Sequence, residues 1–175
     1  MIMYNPERVN KITVVEAVAN DAKDIAEIQR EGWLTTYVNE ELGITKEAIL
    51  AKDFGSENHV NRWKEGIAKP NTKTWIAREE NKAVGFCFVK IGADTNHLGA
   101  LYVLTKTRGS GIGSKLMEQA LGFLGRKKPI ELEVASYNRN AILFYERFGF
   151  KNMGEIVAPT SGALSSGLRS TNSRK

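Results

Sequence analysis

The stretch Arg108-Gly109-Ser110-Gly111-Ile112-Gly113-Ser114 joins a β-rich run to an amphipathic stripe, and no other stretch restricts the fold as tightly. Three alternating glycines remove Cβ atoms where a backbone must turn sharply and come close to a ligand. The stripe that follows carries Ile112, Leu116, Met117, Ala120, Leu121, Phe123 and Leu124, a helical period over Gly111 to Arg126. A helix that starts there points its first unpaired N–H groups into the turn and makes an anion site. Arg108 adds a charge-assisted contact to a phosphate. The plainer alternative is a tight strand-to-helix turn in which glycine only permits the geometry.

The type of phosphate ligand is narrowed by what the loop lacks. A P-loop ends in Gly-Lys-Ser/Thr, and Gly113-Ser114-Lys115 misses that order. A dinucleotide fingerprint has Gly109 and Gly111 in place but finds Ser114 at its sixth position. Glu131 and Glu133 lie about 20 residues on and keep that reading open. The strands before the loop argue against it, because they read as antiparallel.

Elsewhere, Ile12 to Val18 reads as a strand, and Asn20 or Asp21 can cap a helix through about Glu31. Thr45 caps a second helical region that runs to about Gly66 and breaks at Gly55-Ser56. Thr72 to Arg78 and Ala83 to Ile91 form a hairpin around Glu79-Glu80-Asn81-Lys82, and His97 to Leu104 is the next strand. Ile130 to Ala135 is a short strand, Asn138 to Phe148 a second amphipathic helix ended by Gly149, and Lys151 to Val157 a weak last strand. The order β-α-α-β-β-β-α-β-α-β gives one α/β (α+β) domain, a mixed, mostly antiparallel twisted sheet with helices on both faces. The domain is expected over residues 1–158, with 159–175 a polar tail or a loosely held last strand, disordered or at an edge.

Composition removes other classes. The chain has 175 residues, the size of one domain, and no apolar run near the ~20 residues of a membrane helix. No signal peptide is visible, so a cytoplasmic location is expected. Cys87 is the one cysteine, which excludes an intrachain disulfide or a cysteine zinc cluster, and no metal is expected. A net charge of +5 is scattered without interleaved aromatics and argues against nucleic acid as the main partner, while suiting an anionic cofactor.

The pattern Arg108, Gly111, Gly113 directly after Leu101-Tyr102-Val103-Leu104, followed by Asn138, Ala141, Tyr145 and Gly149-Phe150, resembles the GNAT acetyltransferase superfamily from about Ile12 to Val157. Thr105-Lys106-Thr107 departs from it where the family often has proline. The resemblance implies an acetyl-CoA-dependent N-acetyltransferase. Leu101, Tyr102 and Val103 would hold the pantetheine arm, with the Val103 N–H facing the acetyl oxygen. Gly109, Ser110, Gly111, Ile112, Gly113 and Ser114, with Arg108, would hold the pyrophosphate.

Asn138 and Tyr145 fall on one helix stripe, Asn138 offering an amide to the ligand and Tyr145 a phenol as general acid. Glu133 leads Glu131, His97 and Glu31 as the general base. Trp33 and Tyr37 stand where the family commonly builds its acceptor wall, although their spacing also suits plain helix packing. The acceptor is an amine of a small molecule or peptide, attacked directly in a ternary complex. A catalytically silent acyl-CoA sensor is the alternative, and a homodimer stays open.

Overall fold

The structure, a computed structural model, describes residues 12–157 and 164–170, the side chains from 155 onward excepted. Seven strands form one sheet: β1 (Ile12–Glu16), β2 (Thr72–Glu79), β3 (Lys82–Lys90), β4 (Asn96–Val103), β5 (Ile130–Ala135), β6 (Phe150–Val157) and β7 (Leu164–Ser170). Their order is β1-β2-β3-β4-β5-β7-β6. Among the described residues only the β4–β5 pair is parallel. That leaves no doubly wound parallel sheet, and the dinucleotide alternative loses its scaffold.

The α-helices among the described residues are α1 (Ala22–Thr36), α2 (Lys46–Leu50), α3 (Glu57–Ala68), α4 (Ile112–Leu124) and α5 (Arg139–Arg147). Adjacent strand residues point to opposite faces, and β3 separates the helices accordingly. Phe86 and Phe88 meet Trp63 of α3, with ring centres 5.2 and 5.7 Å apart. On the other face Trp75, paired with Cys87, meets Phe123 of α4 at 5.8 Å. The core between these layers includes Ile25, Ile76, Val84, Phe86, Leu116 and Met117, all at most 2% exposed.

Local chemistry explains most boundaries. Thr45 Oγ1 accepts from the Ala48 N–H and Ser56 Oγ from the His59 N–H, so two hydroxyl caps open α2 and α3. Glu80 and Asn81 both have positive φ, the geometry of a two-residue hairpin turn between β2 and β3. Asp21 departs from expectation: its carboxylate makes no cap bond to α1. Instead Oδ2 accepts from the Val18 N–H and Oδ1 from Arg78 of β2 at 2.6 Å.

The end of the chain differs more. The expected tail contains β7, which is not at an edge: it pairs with β5 on one side and β6 on the other. Leu-Ser-Ser-Gly-Leu-Arg-Ser lacks a clean apolar alternation. The backbone ladders on both sides supply what the side-chain pattern does not announce.

Between β4 and β5 the pairing stops almost at once. Asn96 pairs with Ile130 and His97 with Glu131, and no further residue of β4 pairs with β5. Asn96 holds this closed end: its side chain, 3% exposed, donates to the Leu124 carbonyl at 3.1 Å, and its N–H donates to the Pro129 carbonyl at 2.9 Å. Beyond it the strands diverge into a V.

Candidate active site

The V is a cleft of about 630 Å³, lined by the second half of β4, the start of α4, one side of α5 and the end of α1. Its β4 wall is unfilled backbone. The Leu104 N–H bonds to Val84 of β3, so by strand alternation the N–H groups of Val103 and Leu101 face the open side. The Val103 carbonyl, on that same side, accepts from Arg108 Nε at 3.3 Å.

At the wide end the glycine loop takes the expected shape. Gly109 and Gly111 have φ of 84° and 83°, left-handed conformations that favour glycine. Gly111 is the N-cap of α4. The N–H groups of Gly109, Gly111, Ile112, Gly113 and Ser114 have no hydrogen-bond acceptor among the described residues. Gly113 meets another demand: an added Cβ would come within 3.4 Å of the Phe144 ring on α5. The result is a concave set of donors at a positive helix end.

Of the expected residues, Leu101, Tyr102, Val103, Arg108, Gly109, Gly111, Ile112, Gly113, Ser114, Asn138, Tyr145, Glu133 and Tyr37 all line this cleft. Ser110 and Trp33 do not. Ser110 turns its hydroxyl back onto the Thr107 carbonyl. Trp33 lies behind Tyr37, ring centres 4.7 Å apart, and packs on Phe54 with Lys52 over its ring. Its Nε1 is buried without a hydrogen-bond partner among the described residues. Trp33 therefore supports the wall and Tyr37 forms it. Among the base candidates, Glu133 alone reaches the cleft: His97 and Glu131 sit at the closed end, and Glu31 lines a separate groove beside Asp24 and Arg78.

Asn138 is the N-cap of α5 rather than its first turn, and its Oδ1 accepts from the Ala141 N–H at 3.2 Å. That bond fixes the amide and leaves its NH2 as the free donor. Tyr145 is 7% exposed, and burial pushes its phenol well above the usual tyrosine value, with Cys87 and Tyr37 adding to the effect. Burial raises Tyr102 likewise, reinforced by its neighbour Tyr37. Phenols from α1, β4 and α5 thus gather in the V and stay neutral at physiological pH. Cys87 is fully buried with its thiol raised by desolvation, which suits an inert core position.

Sequence reasoning missed several contacts of the site. Thr36 accepts from Arg108 across the cleft mouth at 3.3 Å. Gly32 leaves room for the Tyr102 ring: a Cβ there would fall 2.3 Å from Cδ1. Tyr137 donates to the carbonyl of Tyr37. Each is a contact between distant segments, and no local pattern marks it.

The comparisons with known proteins come to the same fold. Residues 33–159 match the family described as acetyltransferase (GNAT) domain. The chain is 32% identical over 127 residues to the 5-NmdU N-acetyltransferase of Pseudomonas phage PaMx11, covering 70% of this chain and 86% of that protein. It is 31% identical over 86 residues to the peptidyl-lysine N-acetyltransferase YjaB of Escherichia coli (strain K12). That match covers 49% of this chain and spans about half, 54%, of YjaB.

In fold it is similar to the PaiA N-acetyltransferase of Thermoplasma acidophilum, solved with coenzyme A: TM-score 0.71 at 22% identity, over 91% of this chain and 98% of that one. The chain belongs to the GNAT acetyltransferase family.

Proposed function

We propose that the protein transfers the acetyl group of acetyl-CoA directly to a primary amine, of a small molecule such as a polyamine or amino acid, or of a peptide. Residues 1–158 would be the catalytic domain and 159–175 its polar tail, whose strand Leu164–Ser170 joins the sheet, with the cytoplasm its place of action. One observation carries the reading: a cluster of unpartnered N–H groups at the start of α4 opens onto a cleft whose β4 wall offers free backbone donors. A pyrophosphate fits the first, and a chain of amides such as pantetheine fits the second as a pseudo-strand.

The residues then divide the chemistry. The Val103 N–H stabilises the carbonyl oxygen as it gains charge. Glu133 takes the proton of the attacking amine, directly or through one water. The C–N bond forms, the C–S bond breaks, and Tyr145 supplies the proton to the departing thiolate. Burial supports that role by keeping the phenol protonated at neutral pH. Tyr37 and the end of α1 flank the acceptor. No nucleophile on the enzyme is required.

The named relatives act on peptidyl-lysine and on 5-NmdU, both consistent with an amine acceptor. The test combines acetyl-CoA thermal shift with thiol release across polyamines, amino acids, lysine peptides and an aminomethyl nucleoside. An unchanged melting temperature at millimolar acetyl-CoA overturns the reading. Stabilisation without turnover on any amine would assign an acyl-CoA sensor instead.

A further inference from the structure

Two cations line the cleft, Arg108 and Arg147, and the reading above uses only the first. Arg108 reaches back to Val103 and Thr36 on the β4 side. Arg147, in the last turn of α5, stands on the opposite flank. Its guanidinium lies over the Phe144 ring, 5.6 Å from the centre, and that same ring packs against Gly113 in the first turn of α4. The aromatic seat holds the positive charge beside the anion cradle without occupying it. Arg62 and Arg78 are each tied to an aspartate, whereas Arg147 has no carboxylate partner among the described residues. An exposed guanidinium, positioned by stacking and aimed at a cleft, is a site for a second anion.

We propose that Arg147 binds a phosphomonoester of the donor, the 3′-phosphate on the ribose of coenzyme A, while the loop and Arg108 take the pyrophosphate. This rests on the acetyl-CoA reading. A phosphomonoester carries between about −1.5 and −2 charges and three acceptor oxygens, and a planar guanidinium meets two of them at once. The pyrophosphate already has the N–H groups of Gly109, Gly111, Ile112, Gly113 and Ser114 available to it. For a terminal phosphate at the cleft mouth, Arg147 is the one cation on the α5 flank among the described lining residues.

Calorimetric titration of coenzyme A and 3′-dephospho-coenzyme A into the wild type and Arg147→Gln tests the assignment, repeated at two salt concentrations. The wild type is expected to favour coenzyme A about tenfold, more at low salt. Arg147→Gln should bind both ligands with the wild-type affinity for the dephospho form. Equal binding of the two by the wild type overturns the assignment and leaves the acetyl-CoA reading standing. So does an equal loss of both in the variant, which would put Arg147 on the pyrophosphate. Failure of the wild type to bind either ligand overturns both proposals.

Discussion

The hydroxyl of Tyr137 donates to the carbonyl oxygen of Tyr37 at 3.1 Å, a bond between residues 100 positions apart. It fastens the last turn of α1 to the loop between β5 and α5, while Arg108 fastens the same turn to the β4 side through Thr36. Both arms of the cleft are therefore anchored on one helix end. Tyr137→Phe removes only the hydroxyl and leaves the Tyr37 carbonyl open to water. The expected cost is about 1 kcal/mol, read by urea unfolding, together with a higher acceptor KM at unchanged acetyl-CoA affinity.

Gly111→Ala puts a side chain on a residue with φ of 83° at the N-cap of α4. The expected penalty is about 1–2 kcal/mol if the loop keeps its shape. A loop that relaxes instead withdraws its N–H groups, so acetyl-CoA affinity should fall at least tenfold. Titration of acetyl-CoA into the purified variant reads this, and wild-type affinity would count against the cradle.

Tyr145→Phe keeps the buried ring and deletes the proton donor. Thiol release should drop by a factor of about 10² or more while the acetyl-CoA dissociation constant hardly moves. The raised phenol also sets an alkaline limit. Its folded pKa lies above the unfolded value of about 10, so the protein holds its stability below pH 10 and loses it as the pH rises toward the folded value. Tyr145→Phe should lose less across that window in a melting series.

Acid stability depends on His59. Its Nδ1 accepts from Arg62 at 3.0 Å and its Nε2 lies 2.9 Å from Gln29, a neutral imidazole arrangement. Burial first, and Arg62 second, lower its pKa. A depressed histidine is neutral in the folded state when the unfolded chain already binds a proton. Stability therefore falls as the pH drops below about 6.5. His59→Gln should flatten that dependence between pH 7 and 5 in urea titrations.

Gly32→Ala drives a methyl to within 2.3 Å of the Tyr102 ring. Overpacking of this kind costs about 1–3 kcal/mol. The displaced ring also borders the cleft, so donor affinity should fall alongside the melting temperature.

What could be read in advance follows the range of the forces involved. The glycine loop, the Thr45 cap, the break at Ser56 and the strand Ile130–Ala135 are set by residues within a turn or two, and each stands in the sequence. β7 was obscure because its place depends on two ladders contributed by β5 and β6. Asp21 carries every local mark of a cap yet bonds to Arg78, 57 residues away. Trp33 and Tyr37 read alike as aromatics four apart, and only the packing of Phe54 and Lys52 separates the supporting ring from the one that meets the cleft.

The short β4–β5 ladder has a mechanical consequence. Two residue pairs held by Asn96 act as a fulcrum, and the stretch of β4 from there to Val103, paired with β3 but not with β5, is about 20 Å long at ~3.3 Å per residue. A tilt of a few degrees at Asn96 displaces the far end by an ångström or more, the scale on which a hydrogen bond is made or lost. Substitutions at Asn96 would thus tune the reaction from the end of the cleft farthest from it.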